Sequence, residues 1–487
     1  METDPLGIRF SHHTAEVRFR PDVSTVDIID RAQVHRCASP LSYAVFRLNE
    51  YYSISSIEID GVRITFKQSG GFVAIPALQR DKSLMTLRYR AILPSKGESY
   101  STPSEAALTA YWLPHSARLP ATSTITTLVP EDWRGIAPGR AVSSVVAGGL
   151  RRTTWQNDLP VSYISVAAGR YREYETHKDG LTVSAWALRA TPKQTERILE
   201  TTANAIRWFS ARFGPFPYRR YTVVESSVFP YGLEGYSFTI CGSQTLPDII
   251  PHEVSHTWWG GLLPNAYTRS LWNESLASYS ERLYERQKRG SEAMESDSEA
   301  QYEGRNLPND PPLDTANNAM HPGHYAIGYQ KGALVLEQLE RFIGSERMLA
   351  TLRAFLAARS PGSAVDWPDF VAAVRKVNGP EHGGFLDEWL RSSGLPEYAL
   401  GTVTAVQKDG DYQISGTIST SSPVRWCLLP VVVRTSGESV EANVRITGSE
   451  KTPFEIHTKS PPTEIELDPA GMALRRDGRV RQPINRL

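Results

Sequence analysis

The sequence predicts a multidomain α+β protein: an all-β part at residues 1–172, a mixed α/β part at residues 173–397 and a small β-sandwich at residues 398–487. The first and last parts contain short β-branched runs separated by turn residues, a pattern typical of antiparallel sheets. The middle part has apolar residues at three- and four-residue intervals, which is the period of amphipathic helices. A chain of 487 residues also exceeds the size of one hydrophobic core, so several domains are expected.

Strands are predicted throughout the amino-terminal part. Residues 54–65 contain alternating apolar and polar residues around Asp60-Gly61, a dipeptide that favours a tight hairpin turn. Residues 122–127 and 161–166 are further β-branched runs of strand length. Because no convincing helical pattern interrupts this part, we expect it to be an all-β domain.

The middle part begins with a predicted helix. After Pro192, apolar residues recur on one helix face until Gly214-Pro215, which should end the helix. Further helical patterns cover residues 250–261, 272–290, 331–358 and 367–377. The polar segment 290–322 is expected to be a surface loop.

The carboxyl-terminal part returns to strand-like runs. These runs lie at residues 412–418, 428–434, 440–446 and 464–467. Clusters of Gly, Ser and Pro separate them, which favours a small β-sandwich.

Composition and charge argue against several classes of protein. Lys plus Arg and Asp plus Glu number 53 each, so we expect no nucleic-acid partner and no polybasic membrane surface. No apolar run is long enough to span a bilayer. Cys37, Cys241 and Cys427 are too scattered for a disulfide framework or a cysteine zinc site, and they favour a reducing compartment. The first ten residues lack a basic segment followed by an apolar one, so a cytoplasmic location is expected, although an exported mature chain would look the same. The sequence does not indicate the oligomeric state.

One motif in the middle part carries the chemistry. Residues 252–256 are His-Glu-Val-Ser-His, an H-E-x-x-H pattern. On a helix, residues four apart differ by roughly 40° in rotation, so His252 and His256 should face one ion from the same side. Glu253 lies about a quarter turn away, where it can reach a water molecule without binding the metal. Two neutral imidazoles and one carboxylate suit catalytic zinc, which keeps an open coordination position.

The carboxylate ligand is expected from the following helix. The metzincin class needs a histidine at position 262 and a glycine at position 259, and Leu262 and Trp259 exclude it. Glu274 lies near the start of the 272–290 pattern, whose apolar stripe should bury the helix and turn this carboxylate inward. The alternative is an ordinary solvated glutamate that the helix dipole stabilises.

The chain resembles the aminopeptidase N family of gluzincin zinc metallopeptidases, which includes the leukotriene epoxide hydrolase. Similar segments are residues 213–218 (Phe-Gly-Pro-Phe-Pro-Tyr), 252–260 with Thr-Trp-Trp-Gly after the motif, 329–333 (Tyr-Gln-Lys-Gly-Ala), 385–396, 114–120 and 130–133. The resemblance covers roughly residues 110–400. It implies a saddle-like β domain, a thermolysin-like catalytic domain, a peptide substrate, and one Zn²⁺ per chain bound by His252, His256 and Glu274.

The resemblance also implies roles in substrate binding. Tyr329 would donate a hydrogen bond to the oxyanion, although a packed core tyrosine is the alternative and Tyr325 could be confused with it. Glu234 would pair with the free α-amine of a peptide, unless it is an ordinary strand-edge carboxylate. Gly232 and Gly235 would let a peptide approach the backbone and add to this strand edge.

Three positions depart from the family pattern. Between His256 and Glu274 there are 17 residues, one fewer than is usual in the family. Gly235 replaces the asparagine that follows the edge-strand glutamate, and Leu113 lies where relatives place a Gln or Glu that helps to hold the amine. Amine recognition is therefore less well supported than hydrolysis.

The expected function is that of a zinc metallopeptidase, an aminopeptidase that removes N-terminal residues with Glu253 as the base. One alternative is an endopeptidase, or a hydrolase of a small molecule such as an epoxide, at the same site. Another is a catalytically silent relative that serves as a binding module. Free and N-acetylated peptides distinguish the first alternative, and metal analysis distinguishes the second.

Overall fold

The structure is a computed structural model that describes residues 6–38, 42–109, 111–117, 119–265, 270–289, 310–315, 323–358, 363–421, 426–448, 450–469, 471–476 and 480–486. The chain divides into two units: Met1–Thr268 with Arg359–Val365, and Arg269–Ala358 with Asp366–Leu487. The three-part division at residues 172 and 397 stays a prediction. Most of the predicted loop at residues 290–322 lies outside the described residues.

The first unit is built mainly from strands. Its α-helices are α1 (Pro192–Phe213) and α2 (Ile250–Ser255). Its strands are β1 (Ile8–Arg20), β2 (Thr25–Arg36), β3 (Tyr43–Arg47), β4 (Ser53–Ile59), β5 (Val62–Ile64), β6 (Lys67–Ser69), β7 (Phe72–Pro76), β8 (Lys82–Ile92), β9 (Tyr100–Ser101), β10 (Glu105–Leu108), β11 (Ala121–Pro130), β12 (Arg134–Ile136), β13 (Arg140–Ala147), β14 (Leu150–Val161), β15 (Val166–Gly169), β16 (Arg172–Lys178), β17 (Leu181–Ala187), β18 (Arg220–Ser226), β19 (Gly232–Glu234) and β20 (Phe238–Gly242).

Strands β1 to β15 form three sheets. Their orders are β13-β14-β11-β1-β2-β8-β4-β5, β12-β15-β10-β9 and β3-β7-β6. The predicted hairpin is confirmed, because Asp60 and Gly61 join β4 to β5 with φ angles of 51° and 82°, as a type I′ turn requires. Residues 161–166 are not one strand, because β14 ends at Val161 and β15 starts at Val166 in a different sheet.

A five-stranded mixed sheet forms the later part of the first unit. Its order is β16-β17-β18-β20-β19, with β17, β18 and β20 parallel and the two edge strands antiparallel. Helix α1 is the crossover between β17 and β18 that parallel neighbours need. Thr191 and Gln194 cap α1 reciprocally in a capping box, and the helix ends at Phe213, with Gly214 as its C-cap at a φ of 118°.

Helix α2 is short and buried. It is followed by Trp258 and Trp259, which pack on Phe209, Phe213 and Phe216. The predicted helix at residues 250–261 is therefore too long, since regular helix stops at Ser255 and turns follow. The chain leaves the helix direction at Gly260, whose φ of 121° is in the region that favours glycine.

The middle of the second unit is helical. Its helices are α3 (Trp272–Arg289), a π-helix (Ala326–Lys331), α4 (Gly332–Ile343), α5 (Ser345–Ala357), α6 (Trp367–Asn378) and α7 (Pro380–Arg391). The helix predicted at residues 331–358 is two helices, because Gly344 adopts a φ of 89° between them. A bidentate Arg282–Glu337 pair, with contacts of 2.8 and 2.9 Å, joins α3 to α4. Among the described helices, none is both long and apolar enough to cross a bilayer.

The carboxyl-terminal strands of the second unit form two sheets around a shared core. The strands are β21 (Tyr398–Leu400), β22 (Thr404–Lys408), β23 (Asp411–Thr420), β24 (Cys427–Thr435), β25 (Ser439–Ile446), β26 (Lys451–Thr458), β27 (Pro462–Leu467), β28 (Val480–Pro483) and β29 (Asn485–Arg486). One sheet has the order β21-β23-β22-β29 with β26 beside β23, and the other has the order β25-β24-β27-β28. Ile414, Leu429, Val431 and Ile465 are in the core they share. The predicted strands lie in β23, β24, β25 and β27, and the α+β class is confirmed.

Candidate active site

The imidazole rings of His252 and His256 lie next to each other, four residues apart in the chain. The Nε2 atoms of His252 and His256 lie 3.2 Å apart, and both side chains are buried. The Nδ1 of His256 lies 2.9 Å from the carbonyl oxygen of Trp259. Because a carbonyl oxygen only accepts, Nδ1 carries the proton and Nε2 presents its lone pair toward His252. The backbone turn after α2 therefore selects the tautomer that a metal ligand needs.

The donor set fits a zinc ion. Zn–N distances near 2.0–2.1 Å in a tetrahedron place two ligand nitrogens about 3.3–3.4 Å apart, close to the observed Nε2 separation. The ligand atoms of His252, His256 and Glu274 all lie within 4.8 Å of one another. Two imidazole nitrogens and one carboxylate oxygen leave a fourth position for water or substrate. The three residues are therefore candidates to hold one zinc ion.

Glu253 occupies space that is free because residue 232 of β19 is a glycine. A Cβ added to Gly232 would lie 2.0 Å from Oε1 of Glu253 and 2.4 Å from its Cδ. On the other side, the Oγ1 of Thr239 lies 3.3 Å from Oε2 of Glu253 and 2.9 Å from the Leu233 carbonyl oxygen. Glu253 is itself buried. The carboxylate is therefore held between the backbone of β19 and a hydroxyl of β20.

Two neutral groups of the first unit, Cys241 and Tyr221, interact electrostatically with this carboxylate. Burial raises the pKa of the Cys241 thiol well above its usual range, and the charge of Glu253 raises it further. Burial likewise raises the pKa of Tyr221, again with a contribution from Glu253. Both groups therefore stay protonated at neutral pH, and neither competes with Glu253 as a base.

The edge strand β19 carries the residues expected to bind substrate. Glu234 is its last residue and is buried. A Cβ on Gly235 would lie 2.5 Å from the ring of Phe238, so this glycine, like Gly232, makes room for a side chain of the protein itself. Among the described strands, β19 pairs only with β20. Peptide addition along its other edge stays a prediction.

Glu274 lies in the first turn of α3. Its Oε1 accepts a hydrogen bond of 3.0 Å from Nδ2 of the buried Asn273. Of the predicted apolar stripe Leu276, Tyr279 and Leu283, the first two are fully buried and Leu283 is partly buried. Ser275 fixes the helix by donating a 2.5 Å hydrogen bond to the carbonyl oxygen of Gly328. Glu274 is itself buried, which removes the alternative of a solvated carboxylate.

Tyr329 lies in the π-helix that precedes α4. π-Helical turns are rare and often occur at functional sites. The ring of Tyr329 stacks on Tyr325 at 4.9 Å, and Tyr325 is the more exposed of the two. Lys331 anchors the segment, since its buried ammonium lies 2.6 Å from Asp310 and 2.7 Å from the carbonyl oxygen of Pro311.

Replacing Gly232 by alanine is expected to lower kcat by about 10²-fold, because the added methyl group must displace the Glu253 carboxylate and a shift of about 1 Å can cost that much. KM should change far less. Steady-state kinetics measures both constants. Gly384→Ala is the control, since nothing lies within 4 Å of its added Cβ. Unchanged kcat in Gly232→Ala would show that Glu253 tolerates displacement or has no catalytic role.

Sequence reasoning missed several residues that support the site. Thr239, Asn273 and the carbonyl group of Trp259 each contact a predicted site residue. The Trp-Trp-Gly run after the motif marks the region, but the direction of a carbonyl group depends on the backbone path. No pattern in β20 distinguishes Thr239 from an ordinary strand residue.

The part of the chain that contains the site is similar to known proteins. Residues 198–389 match the peptidase family M1 domain. Aminopeptidase M1 of Arabidopsis thaliana is 24% identical over 335 residues, covering 62% of this chain and 37% of the relative. Leukotriene A-4 hydrolase of Xenopus laevis is 24% identical over 265 residues, covering 49% of this chain and 42% of the relative. The matches thus span about two fifths of the length of these relatives.

Solved structures share the fold. An M1 zinc metallopeptidase from Deinococcus radiodurans superposes with a TM-score of 0.70 and 22% identity, over 80% of this chain and 96% of that one. Legionella pneumophila aminopeptidase A, solved with aspartic acid, superposes with a TM-score of 0.81 and 18% identity, over 99% of this chain and 60% of that one. The resemblance drawn from the motifs is confirmed.

Proposed function

We propose that this chain, whose residues 198–389 match the peptidase family M1 domain, is a zinc-dependent aminopeptidase that removes residues from the N-terminus of peptides. The observation that carries the proposal is the set of His252, His256 and Glu274, with ligand atoms within 4.8 Å of one another. The tautomer of His256 supports it, because the hydrogen bond to Trp259 leaves Nε2 available to a metal.

Each of the site residues has a separate role in the proposed amide hydrolysis. A zinc ion bound by the three ligands supplies Lewis-acid activation of a water molecule and of the scissile carbonyl group. Glu253 takes a proton from the water as it attacks the carbonyl carbon, and later gives that proton to the leaving amine. Tyr329 donates its phenol hydrogen bond to the carbonyl oxygen as negative charge develops there.

Glu234 would make the enzyme an exopeptidase. A carboxylate at the end of an edge strand can pair with an α-ammonium group while the peptide backbone lies along that strand. Burial of Glu234 strengthens such a pair, because the local dielectric is lower than in water. One solved neighbour was crystallised with a Tyr-Ser-Ala substrate, a peptide of the kind proposed here.

Zinc quantification combined with matched peptide substrates tests the proposal. We expect one zinc per chain and much faster cleavage of a free peptide than of its N-acetylated form. Equal cleavage of both forms would indicate an endopeptidase. Protein without zinc and without turnover, even after zinc is added, would indicate a silent relative.

Replacing Glu234 by glutamine is expected to raise KM for free-amine substrates by about 10-fold or more, because a charge-assisted contact of about 1.5–3 kcal/mol is lost. Initial rates on an aminoacyl chromogenic substrate and on an N-blocked peptide measure the difference. Equal losses on both substrates would assign Glu234 a structural role.

Replacing Tyr329 by phenylalanine is expected to lower kcat by about 10²–10³-fold, the usual effect of losing one oxyanion donor. The matched control is Tyr325→Phe, because the ring of Tyr325 stacks on that of Tyr329 and Tyr325 lies four residues earlier in the chain. If the Tyr325 variant is the one that loses turnover, the two roles must be exchanged.

A further inference from the structure

The hairpin that follows the edge strand β19 contains a strained turn. The amide N–H of Ser237 donates a 2.8 Å hydrogen bond to the carbonyl oxygen of Gly235, and Tyr236 between them has a φ of 66°. A hydrogen bond between residues two apart, closed through a positive φ, is a classic γ-turn, which is rare and strained. A bulky aromatic residue is unusual at such a φ, whereas glycine adopts it readily. A residue in this conformation persists only where the surrounding structure fixes it.

The segment that follows the zinc motif holds this turn from one side. The hydroxyl group of Thr257 donates a 2.8 Å hydrogen bond to the carbonyl oxygen of Tyr236, and both residues are fully buried. The Tyr236 ring lies against Gly260 and Gly261, where an added Cβ would be 3.2 and 3.1 Å from carbon atoms of the ring. Thr257 directly follows His256, so the turn is attached to the segment that carries a proposed zinc ligand.

Hydrogen bonds of the residues beside Tyr236 hold the turn from the other side. The hydroxyl group of Ser237 accepts a 2.8 Å hydrogen bond from the amide N–H of Gly139, and its carbonyl oxygen accepts one of 3.2 Å from the amide of Thr222 on β18. The amide of Gly235 donates a 2.8 Å hydrogen bond to the carbonyl oxygen of Phe238, which closes the hairpin between β19 and β20. Moving the turn along the sheet would break several of these bonds.

Glu234 is the last residue of β19 and lies two residues before Tyr236. An aminopeptidase needs a fixed distance between the group that binds the α-amine and the ion that activates the carbonyl group. One residue of extended chain spans only about 3.3–3.6 Å, and a displacement of about 1 Å can lower the rate by about 10²-fold. A turn that joins the Glu234 strand to the segment after the zinc motif is therefore placed to set this distance.

We infer that the Tyr236 γ-turn, held by Thr257, sets the position of Glu234 relative to the zinc motif, so that Thr257 and Tyr236 are positioning residues for recognition of the peptide α-amine. The inference rests on the proposed function, since it takes Glu234 as the group that binds the amine. Loss of the Thr257 hydroxyl group lets the strained turn relax, and relaxation moves Glu234 away from the position that the amine requires.

Thr257→Val tests the inference, because valine has nearly the shape of threonine and no hydroxyl donor. We expect KM for a free-amine aminoacyl substrate to rise about 10-fold, the usual effect of losing one buried hydrogen bond, with a much smaller change in kcat. Zinc content should equal that of the wild type, since Thr257 is outside the ligand set. Thr257→Ser keeps the hydroxyl group and should restore KM to within about 2-fold of the wild type. The matched control is Thr202→Val, because Thr202 is also fully buried and its hydroxyl group donates a 2.7 Å hydrogen bond to the carbonyl oxygen of Ile198 in α1.

A double-mutant cycle with Glu234→Gln shows whether Thr257 acts through Glu234. In the Glu234→Gln background, Thr257→Val should change KM by less than about 2-fold, because the contact that Thr257 positions is already lost. Additive increases in KM overturn the inference, and so do equal increases in Thr257→Val and Thr202→Val. An unchanged KM in Thr257→Val, in an enzyme whose Glu234→Gln variant has a raised KM, overturns the inference alone. If the wild type cleaves free and N-acetylated peptides equally, the proposed function fails and the inference fails with it.

Discussion

Glu253→Gln is expected to lower kcat for peptide hydrolysis by about 10²–10⁴-fold while zinc stays bound. Glutamine has nearly the same shape as glutamate, so it fits between Gly232 and Thr239, but its amide cannot take a proton from water. The side chain is outside the three-residue cluster, and the metal should therefore be retained. Turnover and zinc content must be measured on the same preparation.

The control is Glu196→Gln, an exposed glutamate on α1 that should leave kcat unchanged. Full activity in Glu253→Gln would refute the role of Glu253 as the base. Loss of zinc together with activity would show that this carboxylate supports the metal instead. The prediction therefore distinguishes proton transfer from metal binding.

Glu274→Ala is expected to weaken zinc binding by more than about 100-fold and to remove measurable turnover. Loss of a partner that only orients a ligand already costs about 10–100-fold in metal affinity, and loss of a ligand should cost more. The two histidines would remain, but two neutral nitrogens do not offset the charge of the ion as a carboxylate does. Competition with a fluorescent zinc chelator measures the change.

Glu281→Ala is the matched control, because Glu281 lies on the same helix two turns after Glu274. It should keep its zinc. Comparing the two variants also tests whether Glu274 binds zinc although only 17 residues separate it from His256, one fewer than in the family pattern. Wild-type zinc affinity in Glu274→Ala would mean that another oxygen completes the site, and the ligand assignment would be wrong.

Local structure could be predicted from the sequence where a single helix or a single turn determines it. The interval of four between His252 and His256 places both rings on one side of a helix, whatever surrounds the helix. The Asp60-Gly61 turn and the helix after Pro192 follow equally from short-range preferences. These predictions required no knowledge of distant residues.

Predictions failed where the ends of an element depend on its neighbours. The run at residues 161–166 has strand composition, but it passes from one sheet to another and cannot pair continuously. The helical pattern at residues 331–358 continues through Gly344, where a φ of 89° divides the helix. Periodicity reports which residues face a core, and it does not report where the backbone changes direction.

The available chemical groups can be read from the amino-acid sequence: two imidazoles at helical spacing, a neighbouring glutamate and a second glutamate on a later helix. How these groups are held depends on the fold. In the folded chain, the Trp259 carbonyl oxygen lies against His256, and Gly232 leaves room for Glu253. The physical reason is that side-chain spacing along a helix is a property of the helix alone, whereas hydrogen-bond partners, close approaches and exposed edges arise between segments far apart in the chain.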